Sequence, residues 1–174
     1  MTPASAGGVR LRPFGRAHAD RTFAWNNDPE LARLLDRAKA IEPEEHERWC
    51  AGLSGRTDLA LFAIELASGQ HVGNVWLANI DPRHRKAEVR ILIGEPDAVN
   101  QGVGAAAIDL VTRHAFETLG LHRVYAFVLA FNARALRAFE KAGFAVEGTL
   151  RDDRWSDDRF VDTFLLARVA THHP

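Results

Sequence analysis

Residues 9–13 alternate, Val9 and Leu11 against Arg10 and Arg12, which predicts a short first strand. Residues 17–26 and 43–53 carry helical periodicity instead, and Glu44, Glu45 and Glu47 sit in the first turns of the second segment, where a helix amino terminus favours acids. Three strand patterns follow, over residues 59–66, 71–81 and 87–93. Turns at Ser68-Gly69 and Asp81-Pro82 separate them, which predicts an antiparallel meander. Residues 102–118 return to helical period and stop at Gly120, residues 123–129 form a strand rich in valine and aromatics, and residues 133–142 form a helix ending at Gly143. A last pair of strands, 144–150 and 160–169, flanks a turn at 156–158. The order β-αα-βββ-α-β-α-ββ describes an α/β (α+β) protein with a mixed, mostly antiparallel sheet of six to seven strands and about four helices, not a regular βαβ array.

Length and composition narrow this picture. The 174 residues suit one domain, expected over 9–170, with residues 1–8 as a flexible leader and 171–174 as a tail. No apolar run approaches the roughly 18 residues that a membrane helix needs, and the amino terminus does not resemble a secretory signal. Cys50 is the single cysteine, so no intramolecular disulfide forms, and a cytoplasmic setting is expected. With 22 basic and 23 acidic side chains there is no overall field to recruit nucleic acid or a membrane. The eight histidines show no metal-ligand spacing, so no metal is expected.

The segment richest in chemistry is the strand 87–93 running through QGVG at 101–104 into a long helix. Gly102 and Gly104 carry no Cβ, so a diphosphate can approach the backbone while the helix amino terminus offers unpaired N–H groups. GVGAAA at 102–107 formally fits the dinucleotide fingerprint. It lies late in the chain, after an antiparallel meander, and no ribose-binding acid ends the next strand, so NAD is disfavoured. A Walker loop would need Gly-Lys followed by Ser or Thr, which the sequence lacks.

The chain resembles the GNAT superfamily of acetyltransferases, in particular the branch holding ribosomal-protein N-terminal, polyamine and pseudaminic-pathway amino-sugar acetyltransferases. The resemblance rests on IDPRHR (80–85), Ala87-Glu88, IGEP (93–96), QGVG (101–104), LGLHRVY (119–125), FNARA (131–135) and FEKAGF (139–144), with WNNDPE (25–30) and EHERW (45–49) extending it over about the whole chain. It implies acetyl-CoA as cofactor and transfer of an acetyl group to a primary amine by direct attack. The implied cofactor contacts are Ile91, Leu92 and Ile93 on the splayed fourth strand, the backbone of Gln101, Gly102, Val103, Gly104 and Ala105, and Asn132 and Phe139. Val99 departs from the family, whose loop carries Gln or Arg there. A homodimer is common in the family.

Transfer requires a neutral amine, a donor for the carbonyl oxygen and a proton source for the leaving thiolate. A lysine-like amine is only about 0.04% neutral at pH 7, a cost of roughly 4.6 kcal/mol, so a base is valuable. Glu88 is the leading candidate; the other reading pairs it with Arg85 or Arg90. Asp81 and Glu95 are weaker candidates, since both sit in turns. The tyrosine that usually protonates the thiolate in this family is replaced by Phe139, leaving water, Tyr125 or Ser156. Trp25, Trp49, Trp76 and Trp155 are candidates for acceptor walls, and each also suits the core. The expected acceptor is a small molecule, such as a nucleotide-linked amino sugar or polyamine. The alternatives are a protein amino terminus, such as that of a ribosomal protein, or a non-catalytic acetyl-CoA-binding module.

Overall fold

The computed structural model describes residues 8–171; residues 1–7 of the expected leader and 172–174 of the expected tail lie outside them. Seven strands form one sheet: β1 (Val9–Pro13), β2 (Ala60–Leu66), β3 (His71–Asp81), β4 (Lys86–Ile93), β5 (Arg123–Leu129), β6 (Ala145–Ser156) and β7 (Arg159–Val169). Their spatial order is β1-β2-β3-β4-β5-β7-β6. Every neighbouring pair is antiparallel except β4 with β5.

The helices are α1 (Ala19–Asn26), α2 (Pro29–Leu34), α3 (Pro43–Ala51), α4 (Val103–Glu117) and α5 (Ala133–Lys141). The segment before β2 therefore holds three helices where the sequence pattern indicated two. Six residues are too few to display a helical period, but the start signal of α2 is present: Pro29 opens the first turn and Asp28 Oδ1 accepts from Leu31 N–H at 2.9 Å. β6 also runs on to Ser156 rather than ending near residue 150. Register shifts between Val146 and Gly148 and between Leu150 and Arg154 let this charged strand stay paired with β7.

Strand alternation sorts the sheet into two faces. Val75, Leu77, Ala87, Val89, Val124 and Ala126 join a buried cluster with Ala107, Ile108, Val111 and Ala115 of α4. The opposite face of β3 carries Asn74, Trp76 and Ala78 toward the α1–α3 side. There, His71 Nε2 donates to Asn74 Oδ1 at 2.9 Å, Asn74 Nδ2 to Thr22 Oγ1 at 2.8 Å, and the Thr22 hydroxyl to His18 O at 2.8 Å. This chain of buried hydrogen bonds fixes α1 on the sheet. Gly94 completes the fit, since a Cβ there would stand 2.1 Å from the Trp25 ring. Among the described residues no helix is long and apolar enough to cross a membrane, and no group of histidines, cysteines and acids is placed to hold a metal.

Candidate active site

Parallel pairing between β4 and β5 is confined to Lys86↔Arg123, Ala87↔Val124 and Glu88↔Tyr125. Beyond Glu88 the strands part, although β4 stays paired with β3 as far as Ile93 and β5 with β7 as far as Leu129. A gap thus opens in the middle of the sheet, and a cleft enters it from each face.

The cleft on the α4–α5 side has a volume of about 260 Å³ and is lined by Ile91, Leu92, Ile93, Val99, Gly102, Gly104, Ala105 and Asn132, all singled out from the sequence. Gly102 caps α4 with φ at +78°, a left-handed conformation costly for a residue with a Cβ. The α4 hydrogen-bond ladder starts with Ala106 N–H to Gly102 O at 3.0 Å, so the amides of Val103, Gly104 and Ala105 precede it, and no acid occupies that first turn. Gly104 needs no unusual φ. A Cβ there would sit 3.7 Å from Ala138 Cβ and 3.9 Å from Ile93 Cγ1, tolerable to the fold but protruding into the cleft. Gln101 is exposed, and Val103 is packed in the core with 5% exposure; neither side chain lines the cleft.

The sequence reading missed three further residues here. Arg134, Arg137 and Lys141 of α5 line the same cleft, which contains no carboxylate, and none of them forms an ion pair with a described residue. Their spacing of three and seven residues puts them on one helical stripe, a signal present in the sequence. Asn132 caps α5, its Oδ1 accepting from Ala135 N–H at 3.1 Å. With Oδ1 used by the cap, the side-chain amide is left to donate elsewhere.

The cleft on the α1–α3 side measures about 390 Å³. It shares Leu34, Leu35, Ile91, Asn132 and Ala135 with the first, so the two meet at the gap. Trp76, Glu88 and Phe139 line it. Glu88 is 6% exposed; its Oε1 accepts from Arg90 Nε at 2.7 Å, and its Oε2 from Arg90 Nη2 and Asn79 Nδ2, each at 2.9 Å. Only Oε1 retains a lone pair that no protein donor claims. Arg85 turns away and donates to Gly120 O. Phe139 is buried edge-on against Phe144, with nothing to donate.

Other sequence candidates are not brought into either cleft. Trp25 packs on Gly94 and His71. Trp155 stands against Phe160 at the tip of the β6–β7 hairpin, 59% exposed. Ser156 closes that hairpin. Tyr125 lies beside Glu88 in register and packs edge-on to Phe127; burial pushes its phenol upward, and the Glu88 charge adds to this. Glu95 holds Arg21 and the Trp25 indole, both at 3.2 Å, and Asp81 closes its turn on His84. Trp49 lines only an adjoining hollow with His46 and Trp76.

Free strand backbone, a glycine-opened helix terminus and a carboxylate-free row of cations together suit an elongated, phosphate-bearing thioester. Residues 9–145 match the acetyltransferase (GNAT) domain family. The chain belongs to the GNAT acetyltransferases. A spermidine N(1)-acetyltransferase of Escherichia coli is 35% identical over 177 residues, covering 93% of this chain and 86% of that one. The corresponding Vibrio cholerae enzyme is 32% identical over 101 residues, 58% of each chain. Acetyltransferase PseH of Campylobacter jejuni is 23% identical over 141 residues, 79% of this chain and 85% of the other. Vibrio cholerae spermidine N-acetyltransferase, solved in complex with CoA and spermine, superposes with a TM-score of 0.88 at 24% identity, covering 94% and 96% of the two chains. This GNAT chain is accordingly an acetyl-CoA-dependent N-acetyltransferase, and its seven-stranded sheet is the one that the resemblance implied.

Proposed function

We propose that the acceptor is a small-molecule primary amine that enters through the α1–α3 cleft and meets the cofactor at the β4–β5 gap. The observation that carries this reading is the gap itself, open to both faces through Ile91, Asn132 and Ala135. In this arrangement Ile91, Leu92 and Ile93 offer strand edge to the pantetheine arm, and the amides of Val103 to Ala105 hold the diphosphate. Arg134, Arg137 and Lys141 add positive charge along the same wall. Bound acetyl-CoA supplies an acyl group activated as a thioester. Glu88 takes the amine proton at Oε1, directly or through one water, while the Asn132 amide helps to orient the reacting ends. Phe139 has no proton to donate, so the leaving thiolate would take its proton from water at the gap, a tolerable arrangement for a thiol with an ordinary pKa of about 8.5.

The test is release of free CoA across a panel of small amines and amino-terminal peptides. Turnover with free amines and not with peptides supports the reading. Turnover with peptides alone would move the acceptor to a protein amino terminus. Acetyl-CoA binding with no CoA release from any amine would make Glu88 a structural ion-pair partner only.

A further inference from the structure

The charges of the acceptor cleft do not match those of a polyamine. Three arginines, Arg37, Arg90 and Arg154, line it against two carboxylates, Asp36 and Glu88. Both carboxylates are already engaged: Glu88 by Arg90 at 2.7 Å, and Asp36 by Arg154 at 3.0 Å. Arg37 remains. Its guanidinium is half-buried and makes no hydrogen bond or ion pair with any described residue. Burial lowers its pKa, and the charge of Glu45 on α3 offsets this only in part, without coming within salt-bridge distance. A partly desolvated cation with no partner is poised for an anion.

An independent feature lies in the same cleft. Thr163 of β7 is 2% exposed, and its hydroxyl has no hydrogen-bond partner. Buried hydroxyls are ordinarily satisfied, so this one is a donor and acceptor in waiting. A carboxylate or phosphate group has several acceptor oxygens to offer the Arg37 fork and the Thr163 hydroxyl, which line the same cleft. A second ammonium group, as in spermidine, would satisfy neither charge, and the arginine excess would repel it.

We propose that the acceptor carries an anionic group, carboxylate or phosphate, in addition to its amine, and that Arg37 holds this group with help from the Thr163 hydroxyl. The inference rests on the reading of this cleft as the acceptor site for a small amine. It separates this chain in substrate class from the spermidine acetyltransferases that it resembles.

Matched pairs test it: 4-aminobutanoate against 1,4-diaminobutane, and glucosamine 6-phosphate against glucosamine, with spermidine alongside. Each is assayed for CoA release and for its effect on the melting of CoA-saturated protein. At least one anionic compound should exceed its partner in kcat/KM by about tenfold or more, the worth of one charge-assisted hydrogen bond. Arg37→Ala should bring that ratio near unity, Arg37→Lys should keep part of it, and the isosteric Thr163→Val should reduce it. All three variants should keep the wild-type melting shift with acetyl-CoA, which controls for folding. Preference for glucosamine 6-phosphate alone identifies phosphate, and for 4-aminobutanoate alone carboxylate. A preference for the diamine, a ratio indifferent to Arg37→Ala, or absence of any response to both anionic compounds overturns the inference. If spermidine is turned over while the anionic compounds are not, the inference falls and the small-amine reading stands. If no amine releases CoA, both fall.

Discussion

On the α4–α5 side the gap is walled by strand backbone, a glycine-opened helix terminus and one stripe of cations from α5. On the other side it is walled by side chains from α2, β3, β4, β5, α5, β6 and β7, with one ion pair, Asp36–Arg154, bridging segments far apart in sequence. In the proposed reading the first cleft would hold its ligand largely with backbone and with a charge stripe on one helix, features local to the chain. The second would recognise with particular side chains, whose directions depend on how every neighbouring element docks. A backbone-based way of holding a donor and a side-chain-based way of choosing an acceptor can therefore share one sheet.

The sharpest way to break this division is Glu88→Gln. It should lower kcat by about 10²- to 10⁴-fold, the usual worth of a positioned base, while acetyl-CoA binding measured by titration calorimetry stays as in the parent. Equal losses of binding and turnover would mean that the Glu88–Arg90 pair props up the gap as a whole. The converse change is Gly104→Ala, whose Cβ the packing admits but which intrudes where the diphosphate would lie. Cofactor affinity should fall by tenfold or more, about 1.4 kcal/mol, with no drop in the ligand-free melting temperature.

The smallest effect expected is one of pH. Burial holds His71, on the α1 side, and His114, on α4, below the ordinary imidazole pKa; for His71 the Asn74 hydrogen bond offsets this only in part. The unfolded chain then binds more protons than the folded one once pH falls below about 6.5, so the stability that both contribute is complete above that value and is lost as pH drops toward their folded values. Melting temperatures measured from pH 7.5 to 5.5 should decline accordingly. His71→Gln and His114→Gln, made singly, should each flatten the decline and so apportion it between the two faces. An unchanged slope in both would place the acid sensitivity elsewhere.

The same division accounts for what the sequence made legible. The cradle was visible because Gly102 and Gly104 are adjacent in the chain to the strand and the helix that they join, so local spacing carries the chemistry. Asn132 was visible as a candidate contact through the resemblance, and it lines both clefts while capping α5. Arg134, Arg137 and Lys141 were overlooked although their helical spacing was present, because a basic stripe acquires meaning only when the face opposite it is known. Arg37 and Thr163 had no signal at all: 126 positions separate them, and nothing local marks an arginine without a partner or a hydroxyl without one. The tryptophans show the same limit. Trp25 went to the packing around Gly94, Trp155 to the hairpin tip, and Trp76 to the cleft, according to strand parity and docking rather than residue type.

The seam between the two halves of the sheet deserves a mechanical reading. Four strands on one side and three on the other are stitched together by three residue pairs, after which the fabric is open. A cofactor lying along the edge of β4 would serve as the missing thread, and anything that binds only the folded chain raises its cohesion in proportion to the logarithm of its concentration. Resistance to local opening and to proteases along β4 and β5 would then follow the supply of CoA and its thioesters.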